Sequence, residues 1–152
     1  MPYSKRGITT QGGADTFAAT TIDTNITADG KTGWEILGIR AMFMNGESGA
    51  AADSDVSVIL ATQATVTTPE LDEEIIRLNW AVANTAGVAV AYPVELRKAE
   101  ILFIPRVTVQ PSIFVQVSST ASGLACSISW EIYYNIVKLT DLEVLRLLQG
   151  GV

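Results

Sequence analysis

The chain contains no histidine and a single cysteine among its 152 residues. Without histidine, Ser-His-Asp and Cys-His catalytic arrangements and histidine-containing zinc sites cannot form. Cys126 has no partner for a disulfide within the chain, and it falls on the apolar side of an alternating segment, where a thiol acts as a small core residue. We therefore predict that Cys126 belongs to the core and that the protein is not an enzyme.

Charged residues are also scarce. They make up 17% of the chain against 48% hydrophobic residues, with a formal net charge of −6. Because phosphate binding needs concentrated lysine and arginine, the small basic spot of Lys5 and Arg6 predicts no extended nucleic-acid surface. So little charge favours burial of surface against neighbouring proteins, and an ordinary β-domain rich in Ala, Thr, Ser and Val is the alternative.

Long hydrophobic runs are missing as well. No segment reaches the roughly 18 continuous apolar residues of a transmembrane helix. Residues 1–6 lead into Gly, Thr and Gln, not into the apolar stretch of a signal peptide. We expect no membrane span and no secretion signal, and a chain kept or assembled in a cytosol-like compartment.

The chain does contain a long alternating segment. From residue 124 to 136 every second residue is apolar: Leu124, Cys126, Ile128, Trp130, Ile132, Tyr134 and Ile136. A period of two places these side chains on one face of a strand. At about 3.3 Å per residue the strand is roughly 40 Å long, so it requires a large antiparallel sheet beside it.

Strands are predicted at about 17–26, 34–44, 56–60, 87–96, 100–109 and 112–119, before the long strand at 123–138. The strand at 34–44 is apolar on both sides, which predicts a central strand buried on both faces. Its Arg40 requires a carboxylate or carbonyl partner if buried. Strands separated by short polar turns indicate an all-β fold, an antiparallel β-sandwich of jelly-roll type. We predict a flexible N-terminal arm at 1–13 and a single domain at 14–152.

Two helices are predicted. An inserted helix at 69–79 follows from a capping-box pattern and an apolar stripe at helical spacing, formed by Thr67, Glu70, Leu71, Ile75 and Leu78. A C-terminal amphipathic helix at 140–149 follows from a second capping box, Thr140 and Glu143, before the apolar residues Val144, Leu145, Leu147 and Leu148. This helix either folds back over the sandwich, which we slightly favour, or binds a partner.

No segment provides a convincing catalytic, cofactor or metal site. Gly30-Lys31-Thr32 lacks the first glycine of a phosphate-binding loop. Asp53-Ser54-Asp55 lacks the spacing of a calcium loop, so a turn is favoured, although ion binding by Asp53 and Asp55 stays open.

Other polar and aromatic residues have structural interpretations. Glu131 forms an acid pair only if the topology brings Glu95 or Glu100 beside it, and a solvated strand face is favoured. The adjacent Glu73 and Glu74 are interpreted as a solvated helix start. Core packing is predicted for most aromatic residues: Trp34, Phe43, Trp80, Phe103, Phe114, Trp130 and Tyr134. Tyr133 points the other way and is a candidate interface contact.

The last 45 residues resemble the end of a single jelly-roll capsid protein of icosahedral viruses. The resemblance rests on the strand segment Ser112-Ile113-Phe114-Val115-Gln116-Val117, a Ser/Ala/Gly turn, and the final strand Ile128-Ser129-Trp130-Glu131-Ile132-Tyr133-Tyr134. Val137-Lys138-Leu139-Thr140-Asp141 and a short amphipathic helix follow. The chain departs from many genome-binding capsid proteins because it lacks a long basic arm. An internal membrane or another protein beneath the shell is the alternative to direct genome binding.

The resemblance implies a virion location, assembly in the host cytoplasm, and copies of the chain and other virion proteins as partners, without a cofactor. It implies a structural function, that of a capsid subunit that self-assembles into an icosahedral shell. A virion accessory protein, either decorating or tail-associated, is one alternative. A carbohydrate-binding β-sandwich module is another, and it requires aromatic side chains on an outer face or loop.

Overall fold

A computed structural model of the chain describes residues 1–26, 31–45, 54–65, 74–82, 98–101, 106–120, 123 and 125–149. This part contains nine strands and one helix. They are β1 (Tyr3–Thr10), β2 (Ala18–Asp23), β3 (Thr32–Asn45), β4 (Ser54–Ala61), β5 (Glu74–Val82), β6 (Lys98–Ile101), β7 (Arg106–Thr108), β8 (Ser112–Thr120), β9 (Ser127–Lys138) and α1 (Asp141–Leu148).

The strands form two antiparallel sheets with the strand order of a jelly roll. The first sheet has the order β1-β9-β3-β6, with β7 also paired to β3, and the second has the order β2-β8-β4-β5. Since β6 and β7 share one position beside β3, the two sheets contain eight strand positions, as two Greek keys require. The chain changes sheet at every connection except β4–β5 and β6–β7. The predicted antiparallel jelly-roll sandwich is confirmed.

The core lies between the sheets. From the first sheet, Ile128, Trp130 and Ile132 of β9 are at most 3% exposed, and Cys126 just before them is fully buried. The second sheet supplies the facing layer: Ile22, Val56, Val58, Leu60, Leu78, Ile113, Val115 and Val117. The predicted core positions of Cys126, Trp34 and Trp130 are confirmed. The apolar alternation of β9 continues beyond the buried core, where Ile136 is 53% exposed.

A bulge explains why β3 is apolar at both odd and even positions. Its pairing with β9 shifts between Ile36 and Gly38. Trp34 and Ile36 before the shift and Ile39 and Ala41 after it are all buried in the same core. The strand is central, as predicted, but we expected two buried faces. The extra residue of a bulge changes which positions face inward, so one face accounts for both sets.

The predicted inserted helix at 69–79 is wrong where the structure describes it. Residues 69–73 lie outside the described residues, while Glu74–Val82 form β5, paired with β4 along its length. The segment carries two apolar periods, since Ile76, Leu78 and Trp80 also alternate with period two. Pairing places Ile76 beside Leu60 and Leu78 beside Val58. Burial in the sheet outweighs the helical stripe and its capping signal.

The N-terminal segment also differs from the prediction. We expected a flexible arm at 1–13, but Tyr3–Thr10 form β1 and pair with β9 from Tyr3↔Tyr134 to Thr10↔Ser127. Two residues of β1, Gly7 and Thr9, contact the core residue Trp130. Gly7 lies against the Trp130 ring, and the Trp130 Nε1 donates a hydrogen bond of 3.0 Å to Thr9 Oγ1. The segment therefore belongs to the first sheet.

A buried glutamine joins the strands at one end of the sandwich. Gln11, 2% exposed, accepts a hydrogen bond from the Cys126 N–H through Oε1 at 2.8 Å, and its own N–H donates to the Cys126 oxygen at 2.9 Å. Its Nε2 donates to the Thr16 oxygen at 2.5 Å and to Ser119 Oγ at 2.9 Å. One side chain thus links the end of β1, the start of β9 and the end of β8.

The opposite end, here called the α1 end, carries the connections that follow β2, β7 and β9. Thr24 after β2 donates from its N–H to the Pro111 oxygen at 3.1 Å and from Oγ1 to the Gln110 oxygen at 2.8 Å. The Leu139 N–H donates to the Lys31 oxygen at 2.7 Å. These bonds hold the β2–β3 and β7–β8 connections beside the start of α1.

Candidate assembly surface

The helix α1 begins with a complete capping box. Thr140 Oγ1 accepts from the Glu143 N–H at 3.3 Å, and Glu143 Oε2 accepts from the Thr140 N–H at 2.7 Å. The bond from the Thr140 N–H, together with one of 2.8 Å from the Thr140 hydroxyl to the same carboxyl oxygen, lowers the pKa of the Glu143 carboxyl. Because the cap satisfies two backbone donors that a helix start otherwise leaves unpaired, the predicted helix and its start are confirmed.

Two contacts connect the start of α1 to the sandwich. The first is the backbone hydrogen bond between Leu139 and Lys31. The second is an ion pair of 2.9 Å between Lys31 Nζ and Asp141 Oδ1, in which both side chains are exposed. An exposed pair of this kind contributes little energy, so the pair orients the helix more than it stabilises it. Lys31 of the Gly30-Lys31-Thr32 sequence thus has a structural partner, and Gly30 lies outside the described residues.

The helix presents apolar side chains on two sides. Successive helical residues are about 100° apart. Val144 and Leu147 are half-buried on the side towards the sandwich. Leu142, Leu145 and Leu148 lie along an adjoining side and are 58%, 52% and 55% exposed. No residue of α1 is buried. We call the three exposed residues the leucine stripe.

A small apolar cavity lies between α1 and the sandwich. Its volume is about 110 Å³, and its walls combine both sides: Ile26, Lys31, Thr32, Val109, Pro111, Val144 and Leu148. Leu148 belongs to both the cavity wall and the leucine stripe. The helix therefore neither folds back fully, as we slightly favoured, nor stands free of the sandwich. It packs with one side and leaves the other uncovered.

Two further exposed apolar residues lie towards the same end. Ile136 and Tyr3 belong to the parts of β9 and β1 nearest the α1 end. They are 53% and 56% exposed. Tyr3 stacks on Tyr134 with a centroid distance of 5.7 Å, and Tyr134 stacks on Trp34 at 3.6 Å. Burial raises the pKa of Tyr134. Five of the nine exposed large hydrophobic side chains in the described part of the chain thus lie at or near the α1 end.

The outer face of the first sheet carries charges of alternating sign. Arg6 of β1 is opposite Glu131 of β9, which is opposite Arg40 of β3. The Arg6 Nε donates to Glu131 Oε1 at 2.7 Å, and the Tyr133 hydroxyl donates to Glu131 Oε2 at 3.0 Å. The Arg6 hydrogen bond is the main cause of the lowered pKa of Glu131. The Arg40 guanidinium lies 5.7 Å from the Tyr133 ring centroid.

This charged row contains several residues singled out in the sequence. Arg6 of the predicted basic spot is paired with Glu131, while Lys5 is opposite Ile132. The topology places Glu100 in line with Glu131, with Arg40 between them. A carboxyl with a lowered pKa stays ionised at neutral pH, so Glu131 is unsuited to donate a proton. Glu95 lies outside the described residues.

Within the described part of the chain, the remaining candidate residues do not converge on a ligand site. Asp55 is in β4, opposite Thr120 and Ala81, while Asp53 lies outside the described residues. Glu74 forms an ion pair with Arg77 at 2.9 Å, and Glu73 lies outside the described residues. Within the described residues no cluster of three potential metal-ligating side chains occurs. No helix in the described part is long and apolar enough to cross a membrane.

Comparison with known proteins identifies no family. No protein-family model matches the sequence, and no curated protein matches it either. Among solved structures, the chain is similar to one from Desmodium yellow mottle tymovirus, with 7% sequence identity over 93% of this chain and 91% of that chain and a TM-score of 0.33. A TM-score this low does not establish a shared fold. The jelly-roll assignment depends on the strand order described above.

Proposed function

We propose that the chain is a structural virion protein, a capsid subunit that self-assembles with copies of itself and with other virion proteins. The observation that carries the proposal is the leucine stripe: a capped helix holds Leu142, Leu145 and Leu148 exposed at the end of a jelly roll. Jelly rolls occur in viral capsid proteins, lectin domains and cupins. Large contiguous apolar patches mark interaction sites, and the adjacent leucines of the stripe support such a site here.

The leucine stripe supports a contact of modest strength. Complete burial of a leucine contributes about 1.5–3 kcal/mol, and each member of the stripe is about half exposed. Covering the whole stripe therefore contributes roughly 2.5–5 kcal/mol per subunit. Association costs at least about 4 kcal/mol in lost freedom of motion. A pair covers both stripes and gains roughly 5–10 kcal/mol, so a pair held only by its stripes is marginal, and a closed shell requires contacts beyond them.

The alternative of a carbohydrate-binding module has less support. Such a module stacks sugar rings on exposed aromatic side chains. Among the described side chains, Trp34 and Trp130 are buried, and the exposed aromatic residues Tyr3 and Phe17 belong to different ends of the sandwich. The lowered pKa of Glu131 also favours a structural role over an enzyme that uses this carboxyl as an acid.

Sedimentation velocity and electron microscopy of the purified full chain test the proposal. We expect rings or closed particles whose fraction rises steeply with protein concentration. A strict monomer at high concentration and high salt would refute the shell function. A single small ring that never closes into a particle would favour the accessory protein. Specific binding on a glycan array, without assembly, would favour the carbohydrate-binding module.

A further inference from the structure

The helix α1 is firmly attached to the sandwich at its start and packs loosely against it along one side. We propose that α1 and its capping box form a latch, a unit that opens from the sandwich by rotation about the backbone of Leu139 while both sheets stay folded. Opening uncovers the walls of the cavity beneath α1, so the α1 end has a closed and an open form. The latch is a property of the single chain and does not depend on the proposed function.

Leu139 is the fixed side of the latch. Its N–H donates to the Lys31 oxygen at 2.7 Å. Its side chain lies against Gly33 of β3, where an added Cβ atom would be 3.0 Å from Leu139 Cδ1. A glycine in a strand marks a close approach of this kind. Residue 139 is thus held to the first sheet through both its N–H and its side chain.

The moving side of the latch begins at the next residue. Thr140 and Glu143 form the capping box with each other, and the Val144 N–H donates to the Thr140 oxygen at 3.0 Å. Rotation about the Cα–C bond of Leu139 carries Thr140 and the helix together and breaks none of these bonds. The helix brings its own cap with it, so release from the sandwich leaves no capped N–H unpaired.

The closed latch is packed loosely. No residue of α1 is buried, and Val144 and Leu147 on the side towards the sandwich are half-buried. A cavity of about 110 Å³ remains between the helix and the sandwich. The ion pair between Lys31 and Asp141 joins two exposed side chains and adds little. An element with few buried apolar contacts opens locally far more readily than the core.

The open form presents a surface that the closed form hides. Ile26 and Val109 are only 8% exposed, and they line the cavity together with Val144 and Leu148 of α1. Release of the helix takes its two side chains away and leaves an apolar surface on the sandwich. A partner that binds this surface shifts the equilibrium towards the open form, by as much as it prefers that form.

Native-state hydrogen exchange of the full chain, followed by NMR in low urea, tests the latch. A helix of eight residues is unstable alone in water, so its amides exchange whenever the latch is open. Relative to an unfolded chain, we expect residues 144–149 to exchange at least about 100-fold faster than residues 128–132. Their rate should change little with urea, because opening exposes little surface. The Leu139 amide, on the fixed side, should exchange at least about tenfold more slowly than those of α1.

Two matched substitutions test what keeps the latch closed. Leu147→Ala removes a half-buried side chain from the side towards the sandwich. It should speed exchange of residues 144–149 about 3–12-fold, as expected from half the burial of a leucine. Leu145→Ala makes the same change in helix propensity on the exposed side and should speed this exchange less than about twofold. Equal effects of the two substitutions would overturn the docking of α1 through its half-buried side.

A core substitution far from α1 tests whether the helix opens alone. Ile128 is fully buried in β9 and lies opposite Thr9, towards the end that carries Gln11. Ile128→Val should speed exchange of residues 130–132 about 2–12-fold, because it destabilises the whole sandwich. Exchange in α1 should change less than about twofold, since the closed and open forms lose the same contact. An equal increase in α1 would show that the helix opens only when the sandwich unfolds, and the latch would be wrong.

Discussion

The contact between Gly7 and Trp130 makes a sharp prediction about the first strand. A Cβ atom added to Gly7 would lie 2.3 Å from Trp130 Cζ2 and 2.7 Å from Cη2, far inside normal contact distance. The ring has little freedom to move away, because Trp130 is 3% exposed and its Nε1 is bonded to Thr9. Gly7→Ala therefore forces either the strand or the ring out of place.

The expected cost follows from overpacking. Extra carbon atoms in a packed core cost about 1–3 kcal/mol, and a stiff, hydrogen-bonded neighbour places Gly7→Ala at about 2–3 kcal/mol. Urea unfolding followed by tryptophan fluorescence, at one fixed protein concentration, measures this free energy. Gly12→Ala is the matched control, since a Cβ there meets nothing within 4 Å. We expect that variant to change the free energy of unfolding by less than about 1 kcal/mol, towards stability.

Repeating Gly7→Ala in a Trp130→Phe variant tests whether the tryptophan ring causes the loss of stability. Trp130→Phe is destabilising by itself, but it replaces the indole by a shorter ring. The additional cost of Gly7→Ala should fall by at least about 1 kcal/mol in that background, as expected for residues in contact. Equal costs of Gly7→Ala in both backgrounds, or a cost no larger than that of Gly12→Ala, would show that the tryptophan does not hold β1 in place.

Three further predictions concern hydrogen bonds. Gln11→Ala leaves the buried N–H of Cys126 without its acceptor, so it should lower the free energy of unfolding in urea by about 1–3 kcal/mol. Glu131→Gln removes the partner of Arg6. Because the Glu131 pKa is lowered from 4.5, this pair stabilises the fold above about pH 4.5 and ceases to do so as the pH falls through the lowered pKa. Urea unfolding of wild type and variant at several pH values should therefore show a difference at pH 7 that shrinks in acid. Thr140→Ala removes the N-cap of α1 and should lower the local stability of the helix by about 1 kcal/mol. Hydrogen exchange should therefore become faster in α1 alone.

Each of these predictions has a contradicting outcome. Unchanged stability of Gln11→Ala would mean that other groups replace the lost bonds. A wild-type pH profile for Glu131→Gln would show that the ion pair adds no stability. Faster exchange throughout the sandwich in Thr140→Ala would mean that α1 supports the whole fold.

The sequence predicts those elements in which one period dominates. The alternation around β9 and the capping box before α1 each had a single interpretation, and both elements are present. The segment that forms β5 fits both a helical and a strand period, and its local sequence pattern favoured the helix. Only the neighbouring strand β4 decides between them, because it offers Leu60 and Val58 as partners for Ile76 and Leu78.

The first strand had no apolar alternation to reveal it. Its inward positions include Gly7 and Thr9, which suit one tryptophan ring and its N–H and are otherwise unremarkable in a polar segment. The bulge in β3 was hidden for a related reason, since one extra residue makes a single buried face resemble two. In both places the deciding partner is far along the sequence.

The candidate surface was only half predictable. Spacing alone gave the apolar side chains of α1, but not which of them contact the sandwich. That division depends on Ile26, Val109 and Pro111, which come from two distant connections. The pairing of Arg6 with Glu131 joins residues 125 positions apart and had no local signal.

The pairing of β1 with β9 has a consequence for how the protein is made. At synthesis rates of about 5–20 residues per second, Arg6 waits roughly 6–25 s before Glu131 has been added to the chain. The first sheet therefore cannot be completed while translation of the strands continues, and the pairing of distant segments is itself slow. During this time the edge of β1 is open to other chains. The helix α1 is synthesised after all nine described strands, so a nascent chain lacks the leucine stripe until its sheets can close.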